Sequence, residues 1–192
     1  MFKLPRITGC ILGCCLLFAT PSLVLAQAAA PAKPAVGTPI PPAQVYGKVL
    51  SIMEQQFVSA AEAMPEDKFN FAPPASLGEF KGVRTFAQQI KHVAEANAYF
   101  FHDPSQPMID TRPDIEKLTT KADIVKALKD SFAKAHAYVD TITPENAFVT
   151  TEHGTRAGMA SFGIAHFMDH YGQLVVYLRM NGIVPPASRG AM

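Results

Sequence analysis

The chain has 192 residues, of which 48% are hydrophobic and 17% charged, and its formal net charge is +1. That balance describes one ordinary domain with some additional apolar sequence. No run of Lys and Arg marks a basic face, so a nucleic-acid partner is not expected.

The additional apolar sequence comes first. Lys3 and Arg6 precede an apolar run over residues 7–19, Pro21 interrupts it, and Val24-Leu25-Ala26 offers small residues at the two positions a signal peptidase reads. Residues 1–26 therefore read as a secretory signal peptide cleaved after Ala26, with Ala28 as the neighbouring alternative. The run falls short of the ~20 residues a membrane span needs, so no stable span is expected in the mature protein. Two lipobox-like stretches, Ile7-Thr8-Gly9-Cys10 and Ile11-Leu12-Gly13-Cys14, come too early to leave a full apolar region ahead of the cysteine. Export to a periplasm is the expectation, in preference to a lipoprotein or an N-terminal anchor. All three cysteines, Cys10, Cys14 and Cys15, lie inside this segment. The mature protein then has neither a disulfide nor a thiol nucleophile of its own.

Residues 27–42 are mostly Ala and Pro, too poor in apolar bulk to build a core, and read as a flexible tether. A domain spanning residues 43–188 follows. Pro41-Pro42 opens a first helix over residues 43–63, where Val45, Val49, Ile52, Met53, Phe57 and Ala60 recur at helical spacing. Residues 65–83 contain too many prolines and glycines for a regular element. Phe69, Phe71, Leu77 and Phe80 nevertheless make this a packed loop.

A second helix is predicted over residues 84–101. It carries Phe86, Ile90, Val93, Ala94, Asn97 and Phe101 on one side and Gln88, Gln89, His92, Ala96 and Tyr99 on an adjacent one. His102-Asp103-Pro104 stops it. After another proline-containing loop, Thr120-Lys121-Ala122-Asp123 resembles a capping box and starts a third helix, whose apolar positions run from Ile124 to Ile142. A short extended segment is predicted around residues 148–151. The last helix begins near Thr155, with Met159, Phe162, Gly163, His166, Phe167, His170 and Leu174 facing inward, and Asn181-Gly182 ends it. Four long helices with no convincing strand predict an all-α fold, an antiparallel four-helix bundle, with long loops compatible with a crossover.

The last helix holds the chemistry. His166 and His170 stand four residues apart, so both imidazoles reach one point beside the helix, which is a metal-ligand spacing. Gly163, one turn earlier, either leaves a hollow beside the rings or allows close helix packing. A third ligand must come from another helix. His92 and His136 both qualify by position, while His102 and His153 fall in loops; spacing does not choose between the first two. Glu95 and Asp169 are near the ligands in sequence, and a solvated or bridging role suits them. Asn97, Tyr99 and Tyr171 are candidates to line a pocket or simply to fill the core.

The second helix, from Val83-Arg84-Thr85 through His92 to Asn97, together with His166-x-x-x-His170-Tyr171-Gly172-Gln173-Leu174, resembles the DinB-like (damage-inducible protein DinB) superfamily of metal-binding four-helix bundles. The resemblance covers about residues 43–188. It implies one histidine from the second helix and two from the fourth, hence His92, His166 and His170 as metal ligands, with zinc or nickel as the divalent ion and a position left to water or substrate. It also implies kinship with transferases that activate low-molecular-weight thiols and with an isomerase; from the three-histidine site the expectation is a metal-dependent enzyme of thiol transferase or hydrolase type acting on a small molecule, with a non-catalytic metal-binding module for a ligand or partner as the alternative. Arg84, Arg156, Arg179 and Arg189 are scattered, which argues against an arginine cluster for an anionic thiol. No catalytic residue is indicated. A homodimer is compatible with a bundle of this kind.

Overall fold

The computed structural model describes residues 33–190. The predicted signal peptide and most of the first half of the tether lie outside the described residues. Among those described, no helix is long and apolar enough to cross a membrane.

Helix α1 is Pro42–Ala63, opened by proline at its first position, where the missing N–H removes no helical bond. Helix α2 is Phe86–Phe100. It starts two residues later than periodicity predicted because Thr85 caps it. The Thr85 hydroxyl accepts from the Gln88 N–H at 3.2 Å while the Gln88 side chain accepts from the Thr85 N–H at 2.8 Å. A five-residue helix α3, Arg112–Glu116, interrupts the next loop. Helix α4 is Lys121–Val139, and its Thr120 cap departs from the expected box. The Asp123 N–H donates to the Thr120 oxygen, and the Thr120 hydroxyl donates to the Asp123 carboxylate at 2.6 Å, with no return bond to backbone. A two-residue hairpin pairs β1, Thr150–Thr151, with β2, Gly154–Thr155. Helix α5, Arg156–Met180, ends at Asn181 and Gly182, whose φ of +73° suits glycine.

The four long helices pack in the cyclic order α1, α4, α2, α5. Two neighbouring pairs are antiparallel. Glu54 meets His136 and Glu62 meets Lys129 across α1 and α4, and Gln89 meets Gln173 while Phe100 meets Phe162 across α2 and α5. The other two pairs are parallel, because Tyr46 meets Ser161 and Phe57 meets Phe167, and Asn97 meets Ser131 one turn and a half beyond Lys91, which holds the carbonyl of Leu118. The expected antiparallel bundle is thus corrected to an up-down-down-up one. The segment between α2 and α4 makes the crossover, long enough to return the chain along the length of the bundle.

Phe57, Phe132 and Phe167, from α1, α4 and α5, form the centre of the core, fully buried and edge-on at 5.2–6.2 Å. Phe69 and Phe86 extend it beneath the first loop, but Leu77 stays 63% exposed and takes no part. On α1 the stripe is turned from the one expected. Leu50, Phe57, Ala60 and Ala61 are buried, while Val45, Val49 and Ile52 are exposed.

Candidate metal centre

Between α2 and α5 the core changes character. His92 projects from α2 toward His166 and His170 on α5, and the three rings stand steeply inclined to one another with centroids 4.7–5.1 Å apart. One nitrogen from each lies within 4.8 Å of the others. The Nε2 atoms of His92 and His166 are 3.3 Å apart. Two nitrogens ~2.0–2.1 Å from one tetrahedral ion lie ~3.3–3.4 Å from each other, so this pair already has the spacing of a shared cation. The three-histidine group can hold a metal ion.

His170 is fixed by a chain of side chains. Its Nδ1–H donates to Gln89 Oε1, Gln89 Nε2–H donates to Gln173 Oε1 at 2.7 Å, and Gln173 Nε2–H donates to Asp169 Oδ2 at 3.3 Å. Each amide has only one direction left once the Asp169 carboxylate, an obligate acceptor, ends the chain. The direction carries back to His170, whose proton must sit on Nδ1. Its Nε2 is left as a free lone pair. His166 reaches the same result differently, since its Nδ1 is buried without a partner among the described residues and Nε2 is the atom through which this ring can act.

Burial suits ligation by neutral imidazoles. The His92 pKa is lowered to about 4 by desolvation, then by Arg84 and His166, and His170 is lowered to about 4 by desolvation, then by its two neighbouring histidines. Desolvation also lowers His166. All three rings are neutral at pH 7 and offer lone pairs to a cation.

Gly163 does not hollow out the site. A Cβ there would lie 2.7 Å from the Phe101 ring and 2.8 Å from the Cβ of Phe100, so the glycine lets α5 approach the end of α2. That approach seats the Phe100 ring against His166, with centroids 5.1 Å apart. His136 is elsewhere, bonded to Glu54 at 2.7 Å on the α1–α4 seam. His102 and His153 lie near one another, with ring centroids 6.4 Å apart.

Two cavities meet at His92. One, about 590 Å³, is lined by His92, His166, Glu95, Tyr99, Met108 and Ile109 among others. The second, about 780 Å³, is walled by polar side chains including Arg84, Gln88, Lys91, Glu116 and Gln173. Glu95 belongs to both. Sequence reasoning placed it in a solvated or bridging role, yet three residues from His92 is the same helical face, and that spacing was the available signal. Its carboxyl pKa is raised, by desolvation first and then by Glu116. Gln89 was likewise seen only as an adjacent-face residue. Of the pocket candidates, Tyr99 lines the first cavity, whereas Asn97 is buried in the core and donates to Ser131 at 3.1 Å. Tyr171 is half-buried and packs against the core. Arg156 binds Asp103 at 3.3 Å, Arg179 reaches Ser188, Arg189 holds the carbonyl of Val184, and Arg84 alone of the four stands beside the histidines.

The fold and site together define a helical protein with a three-histidine group on facing helices, one side of it open to a cavity. The chain matches the DinB superfamily over residues 50–174 and belongs to it. No curated protein matches the chain.

Proposed function

We propose that this is a metal-dependent enzyme in which His92, His166 and His170 hold zinc or nickel, acting by hydrolysis or by thiol transfer. The observation that carries the reading is the cavity reaching His92 and His166 past the exposed side chains of Tyr99, Met108 and Ile109. A closed structural site has no use for such an opening, and three protein ligands with a free side are the usual catalytic arrangement. A bound divalent ion would supply Lewis acidity and lower the pKa of a water or thiol beside it.

Hydrolysis and thiol transfer share a first requirement, removal of a proton from the nucleophile. Glu95 is the group suited to accept it, being half-buried on the wall shared with His92, with its pKa raised toward the working range of a general base. It takes the proton as the nucleophile's new bond forms and returns it to the leaving group as the old bond breaks. The Gln89–Gln173–Asp169 chain orients His170 and keeps its Nε2 unprotonated. Arg84 favours an anionic group on the polar side. Export, proposed from Lys3, Arg6 and the apolar run before Ala26, would put this chemistry outside the cytosol, where hydrolysis needs no low-molecular-weight thiol.

Metal analysis of the purified wild type should return a divalent ion at near one per chain, and His92→Ala should lose it. Glu95→Gln should keep the ion and lose ~10²-fold or more of turnover in a screen of thiol-transfer and ester substrates. A wild type with no ion, matched by a His92→Ala variant of equal stability, would end the metal reading. Unchanged turnover in Glu95→Gln would end the assignment of the base.

A further inference from the structure

We propose that the substrate is a small aryl or branched-alkyl compound with a protic head group, its apolar body filling the cavity between α2 and residues 108–112 and its head meeting Glu95 at the histidines. This rests on the metal-dependent reading above and adds the substrate class.

The lining of the smaller cavity is divided along its length. Its outer wall is apolar: Tyr99, Met108 and Ile109 are exposed, with Ile109 at 75%, and the Phe100 ring closes the inner side against His166. An isoleucine left that open at the rim of a site, rather than folded into the core, provides apolar surface for something that arrives. The two charges at the same rim cancel one another. Arg112 grips Asp110 through both carboxylate oxygens at 2.9 Å, so neither is free to bind an ionic body. At about 590 Å³ the space lies within the range of small-molecule sites, ~300–1,000 Å³, and has room for a ring with a short chain.

The polar groups are at the inner end. His92 and His166 line it with their Nε2 atoms 3.3 Å apart, and the Glu95 carboxylate accepts no hydrogen bond from the described residues. A carboxylate only accepts, so the head group that satisfies it must donate, as a hydroxyl, thiol, amine or N-hydroxy amide does. The larger cavity gives the orientation. An apolar body placed there would strip water from Arg84, Gln88, Lys91 and Glu116 without replacing it, whereas a polar or anionic end would not. The body therefore lies on the Ile109 side and any charged extension on the Arg84 side.

The test uses hydroxamates, which carry a protic, metal-binding head on a variable body. Titration calorimetry on the full-length, zinc-loaded protein should show benzohydroxamate binding about tenfold or more tighter than acetohydroxamate, from the added apolar surface buried. In Ile109→Asp, and in Met108→Asp as a second surface variant, zinc content should hold and the ratio should fall toward one. Zinc and acetohydroxamate bound, with benzohydroxamate no tighter or its advantage unmoved by both variants, overturns the substrate class and leaves the metal reading standing. Loss of zinc and of acetohydroxamate binding in the wild type overturns both.

Discussion

Helix α5 serves two seams that differ in every physical respect although the residues facing them are adjacent in sequence. Phe167 enters the seam with α1 and α4, where it meets Phe57 and Phe132 and is wholly buried. His166 and His170, about 100° and about 60° round the helix from Phe167 in the same direction, enter the seam with α2. There buried polar groups stand beside apolar ones, and His170, Gln89, Gln173 and Asp169 are connected by hydrogen bonds running one way. The first seam is tolerant of anything apolar of the right volume. The second is tolerant of very little, because each donor in it has a single acceptor. Stability and chemistry are thereby assigned to adjacent flanks of one helix, and each should be removable without the other.

The largest effect expected is on the phenylalanine flank. Phe167→Ala should cost ~3–5 kcal/mol of folding free energy, from lost burial and the cavity left among three rings. Denaturant titration of the metal-free protein measures it. A loss below ~1 kcal/mol would mean that the ring triad is not the centre of the core. On the histidine flank, Gln89→Leu keeps roughly the volume but removes the acceptor that fixes His170. Metal affinity should fall ~10–100-fold, as for other partners of a ligating imidazole. Competition with a chromophoric chelator checks this, and an unchanged affinity would show that the hydrogen-bonded chain is incidental to the site.

The two flanks were not equally legible in the sequence. The His166–His170 spacing stated its meaning because a helix repeats regularly, and no tertiary knowledge was needed. The third member required knowing which helices are neighbours. By position His92 leads His136 only slightly and the resemblance alone favoured it; the order α1, α4, α2, α5 puts His92 beside His166 and leaves His136 paired with Glu54. Helix directions were hidden for a related reason, since a long loop can as easily return the chain as reverse it. Periodicity also failed where apolar residues surround a helix: Val45, Val49 and Ile52 keep helical spacing yet lie outside, and Phe162, expected inward, is exposed at 63% and packs on Phe100. Glu95 stands three residues from His92, a spacing that puts it on the same helical face and was legible, whereas the significance of Gln89 depends on what faces it and not on its own spacing.

The comparison can be sharpened by pH, where the effect is smaller and is expected on the histidine flank. In the unfolded chain a histidine titrates near ~6.5, while His92 and His170 in the folded protein titrate at about 4. Above that unfolded value both states are neutral and these rings contribute nothing to the dependence. Between it and the folded value the unfolded state takes up protons that the folded state refuses, so stability falls as pH drops through this window and levels off below it. Asp103 and Asp110, whose folded pKa values are lowered by hydrogen bonds to Ser105 and Arg112 respectively, act in a more acidic window, their contribution being lost as pH falls from the ordinary carboxylate range toward those lower values. The thermal midpoint of metal-free protein should therefore decline between pH 7 and pH ~4.5 in the wild type and, in parallel, in a milder core variant, Phe167→Leu. His92→Gln should decline less steeply, having lost one of the rings that must be kept neutral. Parallel slopes in wild type and His92→Gln would mean that burial of the triad does not hold its protons off, and the division between the two flanks would lose its electrostatic half.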